Sequence, residues 1–296
     1  MVIKGATLAT KHASKLAENF HLSKYTVGFI IIALISILPE TFIAINSAIE
    51  GVPEFGLGVL FGGNVADLTL VFAIIILFAG RGLKIESKIL KNNKIFPLLL
   101  LLPIILGING NFSRIEGLAL IVTGGIFYYM SLRDGTDGVL IRNEEKSRFK
   151  SSVMLLFSMG LILVGSHFTV TSATSLANYW GLSPVLIGML IVGLGATMPE
   201  LFFSLKAAKK DDDSLAVGDI LGTVLADATI VVGILALISP FSFPQKIIYI
   251  TGMFMVASSV ILLRFMNSGK TISKREGVVL FFFWIIFALV EFLINS

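Results

Sequence analysis

Four carboxylates lie deep inside long apolar runs of this chain: Glu40, Asp67, Glu200 and Asp227. An ionised side chain at the centre of a membrane helix costs roughly 2.5–3.5 kcal/mol, so four left unpaired would cost on the order of 10–14 kcal/mol. No Lys or Arg stands at matching depth to neutralise them. The economical partner is a cation, with protons taking its place when it leaves. Carboxylate, hydroxyl and carbonyl oxygens are hard ligands that suit Ca²⁺, Mg²⁺ and alkali ions. One buried acid alone could simply be a hydrogen-bond partner for a neighbouring helix. Four acids in a repeated setting are not explained that way.

The neighbouring residues suit coordination. Pro39 and Pro199 directly precede Glu40 and Glu200. Proline has no N–H, so it frees a carbonyl one turn earlier, and irregular backbone at this depth is tolerated where it lines a site. Gly195-Ala196-Thr197-Met198-Pro199-Glu200 therefore offers a hydroxyl, freed carbonyls and a carboxylate together. Gly218-Asp219-Ile220-Leu221-Gly222-Thr223 leads on to Asp227. Glycines four apart open one helix face to close packing, and Thr223 and Asp227, also four apart, share a face. Ser36, Pro39, Glu40, Gly58, Gly62, Gly63 and Asp67 repeat the arrangement. The candidate cation ligands are thus Glu40, Asp67, Glu200 and Asp227, with hydroxyls from Ser36, Thr197 and Thr223.

The two arrangements are copies. Shifted by 160 residues, the chain matches itself without a gap: Leu22-Ser23 on Leu182-Ser183, Pro39-Glu40 on Pro199-Glu200, Gly58 and Gly62 on Gly218 and Gly222, Ala66-Asp67 on Ala226-Asp227. The identities concentrate on Gly, Pro, Glu and Asp, which random matching of apolar sequence would not favour.

The elements that must carry these residues are membrane spans. Hydrophobic residues make up 55% of the 296 and charged residues 14%, against about 25% charged in soluble domains. Mean hydropathy is +0.92. This excludes a soluble or disordered chain. It also excludes a nucleic-acid binder, because the net charge of +4 comes from short basic clusters between apolar runs. With no cysteine there is no disulfide frame, and three histidines without an HExxH pattern argue against a zinc enzyme. Apolar runs of roughly twenty residues lie near 25–49, 55–80, 95–111, 114–132, 151–179, 184–208, 214–239, 246–266 and 274–294. Lys4, Lys11, His12 and Lys15 interrupt the first 23 residues, which also lack a signal-peptide core. Counted as a shortened first helix, they bring the expectation to ten helices of an all-α integral membrane protein. Met1 then aligns with Leu161, so this helix is half-length or its start lies upstream.

Five spans per copy is an odd number, so the copies must run in opposite directions through the membrane. Residues 1–132 would form the first five-helix repeat, 133–150 a cytoplasmic linker and 151–296 the second, inverted repeat. The loops agree. Residues 81–94 hold five basic residues, whereas the matching 241–254 hold only Lys246. The positive-inside rule puts the basic loops in the cytoplasm and both termini outside. Inverted repeats are the architecture by which secondary transporters alternate access to a site at the midplane.

Other polar residues are expected to be structural. Asp219 could cap a helix or join the ligands. Thr69 and Thr229 are expected to bond their own backbone and His167 to be a packed polar residue, whereas Asn64, near the Gly63 turn and without a matching Asn in the second copy, is held as a further candidate. Ser113/Glu116 and Ser273/Glu276 have capping-box spacing. Phe281-Phe282-Phe283-Trp284 is lipid-facing or packing bulk, and Asp211-Asp212-Asp213 a solvated loop and helix start.

The doubled pattern resembles the calcium/cation antiporter superfamily, most closely its sodium/calcium exchanger branch, whose paired motifs read G-[TS]-S-x-P-E followed by G-N-x-x-G-S-N-x-x-[DN]. The resemblance covers nearly the whole chain. It implies ten helices in two inverted halves, with two helices per half forming a core across which the first and sixth helices slide. It also implies that Glu40 and Glu200 bind Ca²⁺, that Asp67 and Asp227 join them, and that Ser36, Thr197 and Thr223 serve Na⁺. The chain departs from the pattern at Ile35, Ile37, Gly63 and Ala196, which supply fewer hydroxyls or glycines, and at Asp67 and Asp219, where Asn is usual.

The expected function is secondary active antiport, Ca²⁺ against Na⁺, in the cell membrane. Ca²⁺/H⁺ exchange or transport of another divalent ion such as Mg²⁺ is the alternative. The expected partners are the transported cations and membrane lipids, with no cofactor, no nucleic acid and a monomeric working unit. A channel would place its acids in an oligomeric ring. An intramembrane aspartyl enzyme would need two acids rather than four symmetric ones.

Overall fold

The computed structural model describes residues 4, 5, 8, 24–85, 95–133 and 146–295. Among these, nine helical segments follow one another: α1 (Val27–Ile49), α2 (Pro53–Ala79), α3 (Phe96–Asn109), α4 (Arg114–Arg133), α5 (Lys146–Trp180), α6 (Pro184–Ala208), α7 (Asp213–Ile238), α8 (Ile247–Gly269) and α9 (Lys274–Asn295). All but α3 contain an apolar stretch long enough to cross a membrane. The shortened first helix falls on residues of which only Lys4, Gly5 and Leu8 are described, all three helical. The count of ten therefore lies outside the described residues.

The 160-residue offset is a physical repeat. The helical stretches Pro53–Ala66 and Asp213–Ala226 recur at that spacing. So do the single wide turns of π-helix at Asp67–Val71 and Asp227–Val231. A π turn inserts a residue and re-aims the side chains beside it, which is why such turns gather at functional sites. Both capping boxes form: the Ser113 N–H donates to Glu116 at 2.7 Å, and the Ser273 N–H to Glu276 at 2.7 Å.

Burial sorts the helices into layers. In their most apolar windows, 94% of α2 and 83% of α7 is buried, against 28% of α4 and 22% of α9. The first pair is the core, and the second faces lipid with residues such as Ile126 and Phe282. The first half of α1 crosses α7, and the first half of α6 crosses α2. These crossings are close because glycine stands at them. A Cβ on Gly62 would lie 2.6 Å from the Met189 carbonyl oxygen, and one on its repeat mate Gly222 would strike that of Phe29.

Two miniature antiparallel ladders tie the repeats together. β1 (Leu83–Lys84) pairs with β4 (Thr271–Ile272), and β2 (Asn111–Phe112) with β3 (Phe241–Ser242). Each joins a loop of one repeat to a loop of the other.

Candidate cation site

The site is built on two helix breaks. α1 is interrupted at Ile37 (φ −69°, ψ −4°) and restarts at Leu38, with Pro39 and Glu40 in the new first turn. α6 is interrupted at Thr197 (φ −74°, ψ 0°) and restarts at Met198, with Pro199 and Glu200 in the same places. Proline is suited to a helix start, where its missing N–H would have had no partner. That N–H is also the one that would have met the carbonyls of Ile35 and Gly195. The positive end of each restarted helix favours the carboxylate in its first turn.

Glu40, Asp67, Glu200 and Asp227 are each at most 2% exposed. Both oxygens of Glu40, Asp67 and Glu200, and Oδ1 of Asp227, are buried with no hydrogen-bond partner. Among the described residues no ion pair involves them. They lie within electrostatic reach of one another: Glu40 of Asp227 and Asp67, Glu200 of Glu40 and Asp67. Buried polar atoms are almost always partnered, so this concentration of orphaned acceptors marks the candidate cation site. Among the described residues no three or more His, Asp or Glu form a group that could hold a metal ion on their own. Neutral oxygens must complete any coordination shell.

The hydroxyls differ in availability. Thr223 Oγ1 is buried and unpartnered. Thr197 donates to its own backbone at Leu194 O, 3.1 Å away. Ser36 donates across the repeats to Asp219 Oδ1 at 3.1 Å. Asp219 lies within the helical stretch Asp213–Ala226 and not at its end, so it caps nothing. Thr69 and Thr229 bond the carbonyls of Val65 and Leu225, as expected. Asn64 donates to Val224 O, the carbonyl of its own repeat mate, at 3.3 Å, and its Oδ1 is left unpartnered.

A cavity of about 670 Å³ opens between α5 and α6 and reaches the second break. Thr169 and Ser172 are among the residues that line it from α5, Gly195 and Ala196 among those from α6, and Ile43 and Lys4 also border it. A Cβ on Gly195 would meet nothing within 4 Å, so the backbone before Pro199 borders open space.

Sequence reading missed several groups. His167 is not a packed residue: its side chain is 57% exposed and its Nδ1 lies 2.8 Å from Glu50 Oε1. Asp213 is a buried helix start held by Arg81, not a solvated one. The Tyr128 hydroxyl reaches from α4 to the Gly222 carbonyl at 2.7 Å, beside Thr223. Glu291 is buried on α9, accepting from Thr251 at 2.5 Å and Asn295 at 2.8 Å. A Tyr and a Glu within apolar helices were the available signals.

The family model described as sodium/calcium exchanger protein matches residues 1–133 and 150–293. The putative antiporter CaxA of Alkalimonas amylolytica is 27% identical over 285 residues, covering 90% of this chain and 88% of that protein. The sodium/calcium exchanger MaX1 of Methanosarcina acetivorans is 24% identical over 341 residues, covering 99% and 96%. A solved structure of the sodium-calcium exchanger NCX_Mj superimposes with a TM-score of 0.74 at 22% identity, covering 96% of this chain and 93% of that one. That likeness establishes the fold: an all-α, multi-span membrane protein with inverted repeats.

Proposed function

This chain belongs to the sodium/calcium exchanger protein family, and from that premise we propose that it is a secondary active antiporter exchanging Ca²⁺ for Na⁺ by alternating access. Glu40, Asp67, Glu200 and Asp227 are its carboxylate ligands, and Ser36, Thr197 and Thr223 its hydroxyl ligands. One observation carries the reading: both carboxylate oxygens of Glu40, Asp67 and Glu200 and one of Asp227 are buried and unpartnered, with no basic group in ion-pair contact among the described residues. Ca²⁺ takes six to eight oxygens and Na⁺ fewer, so both draw on one set of carboxylates, Thr223 and the carbonyls before Pro39 and Pro199. Opposing ions then compete for the same oxygens. A site empty of both metal ions and protons is too highly charged to cross the membrane, which enforces coupling.

The unit that moves is framed by two inverted five-helix repeats, residues 1–132 and 151–296, joined by a cytoplasmic linker at 133–150. A tenth helix at the N terminus, both termini outside and a monomeric working unit complete the proposal. Ca²⁺/H⁺ exchange is the second reading, favoured by Asp67: an additional carboxylate among few hydroxyls can carry a proton as counter-ion. Radiolabelled Ca²⁺ uptake into proteoliposomes preloaded with Na⁺, K⁺ or acid separates them. Na⁺-loaded vesicles should accumulate Ca²⁺ and K⁺-loaded ones should not. Uptake driven by acid alone supports the second reading, and uptake with no counter-ion removes both.

A further inference from the structure

Ser36, Asp219 and Ser204 form a buried chain across three helices, α1, α7 and α6. Ser36 Oγ donates to Asp219 Oδ1 at 3.1 Å, and Ser204 Oγ stands 3.4 Å from Asp219 Oδ2 and 3.3 Å from the Ala216 carbonyl, so its one hydrogen is shared between the two. All three residues are fully buried. Asp219, Thr223 and Asp227 follow at intervals of four, so Asp219 shares the face of α7 that carries the candidate ligands. The repeat provides an internal control. Its mates at these positions are Ala196 for Ser36, Val59 for Asp219 and Ala44 for Ser204. The whole device is present in one half of the site and missing from the other.

A serine hydroxyl has one hydrogen to give and lone pairs to receive. Thr197 and Ser47, on the same two helices as Ser204 and Ser36, spend that hydrogen on their own backbone. Ser36 spends it on Asp219 instead, which fixes its rotamer across the helix interface and leaves its oxygen only able to accept. We propose that Asp219 is a positioning residue which, through Ser36, turns one half-site into a preset neutral-oxygen ligand and thereby sets discrimination between monovalent and divalent cations. The proposal rests on the cation-site reading above and adds a residue and a role to it. A divalent ion is held chiefly by the carboxylates. A monovalent ion gains half that Coulomb energy, so a fixed neutral oxygen is a larger share of its binding.

The test is cation-dependent thermal unfolding of the full-length protein in detergent, titrated with NaCl or CaCl₂ at constant ionic strength, for which ligand linkage gives apparent affinity. The variants come from the repeat mates: Asp219→Val and Ser36→Ala, with Asp219→Asn as the conservative rescue because its amide oxygen can still accept from Ser36. Asp219→Val and Ser36→Ala should each raise half-saturation by Na⁺ about fivefold, the worth of one hydrogen bond of ordinary net strength. In Ser36→Ala, which leaves every charge in place, Ca²⁺ should move less than about twofold, and the double variant should be no worse than Asp219→Val alone. Because Asp219 also acts electrostatically on Glu40, Asp67 and Glu200, Asp219→Val is read against the equally uncharged Asp219→Asn, which should keep the tighter Na⁺ binding of the two. Equal shifts for both cations in Ser36→Ala, an unchanged Na⁺ response in Ser36→Ala, or Asp219→Asn as impaired toward Na⁺ as Asp219→Val would each overturn the proposal. If Asp219→Val does not fold, Ser36→Ala and Asp219→Asn decide the question by themselves. Wild-type flux in vesicles separates the two claims. Selective binding without exchange removes the antiporter and leaves Asp219 in its role, whereas a wild type that binds neither cation removes both.

Discussion

Thr223 stands one turn before Asp227, fully buried, with a hydroxyl oxygen that meets no partner. An unsatisfied buried polar atom destabilises a fold, and replacing it by an apolar group of the same shape is close to neutral or stabilising. Thr223→Val should therefore unfold in chelator at the wild-type temperature or above it, gaining up to about 1 kcal/mol. The same variant should lose much of the stabilisation that Ca²⁺ or Na⁺ gives the wild type. A variant less stable in chelator would mean that the hydroxyl is structural. Glu40→Gln and Glu200→Gln carry the argument to the carboxylates. Each replaces a charge with a neutral isostere, so the empty protein should stay folded while Ca²⁺ exchange falls to background in a proteoliposome assay. Retained flux in either variant would remove the site assignment. At this scale the sequence was informative about the acids and less so about the hydroxyls. Acids in apolar runs announce themselves by their solvation cost, but the hydrogen of Ser36 goes to Asp219, 183 residues away, and no local pattern encodes that distance.

Elements fix how rigidly those residues are held, and the two ends of the molecule do this differently. At the end carrying β1, Arg81 donates to both carboxylate oxygens of Asp213, at 2.7 and 2.8 Å, and to the Ala208 carbonyl at 2.7 Å, while the Lys84 N–H also reaches Asp213. This one guanidinium joins the end of α2 to the end of α6 and the start of α7. At the opposite end, the repeat mate of Arg81 is Phe241, which packs with Phe112 and Phe243 at ring separations of 5.8 and 5.6 Å. One end is stapled by charge and the other by aromatic bulk. Arg81→Gln removes the charged partner of Asp213, 5% exposed, leaving it the Lys84 N–H, and should cost about 2–3 kcal/mol, at or below the low end of the roughly 3–5 kcal/mol for breaking a buried pair because the guanidinium keeps some solvent contact. Adding Asp213→Asn should recover part of the loss, as measured by thermal unfolding. Hydrogen bonding to Asp213 raises the Arg81 pKa above its usual range. The contribution of a cation so held is complete at lower pH and lost only as pH climbs through that raised value. The charge on Arg81 should therefore not limit the staple anywhere in the physiological range. The helix breaks at Pro39 and Pro199 were legible because proline disrupts helices by its covalent structure. The ladders were not, since two-residue strands carry no periodicity, and Asp213 looked like one of three acids in a surface run.

For the whole molecule, the decisive property is that one sequence folds twice, upside down. The 160-residue offset foretold it, and the recurrence of helices, π turns and helix breaks at that spacing realises it. What the offset cannot provide is which side of the membrane each end faces; that rests on the basic loops and the positive-inside rule. The absence of cysteine from the sequence makes this directly testable. Asn109 closes α3 and Gly269 closes α8, and they are repeat mates. A side chain on Gly269 would meet nothing within 4 Å, and Asn109 is exposed. Asn109→Cys and Gly269→Cys should each fold and exchange Ca²⁺ as the wild type does. A membrane-impermeant maleimide applied to intact cells should modify Asn109→Cys and spare Gly269→Cys, with the pattern reversing in inside-out vesicles. Labelling of both from one side would contradict the inverted arrangement, because mates at the ends of matching helices would then share a face. Labelling with the sides exchanged would keep the inversion and overturn only the orientation drawn from charge. The two outcomes separate because inversion is a property of the fold, while orientation is set by where Lys and Arg stand when the chain inserts.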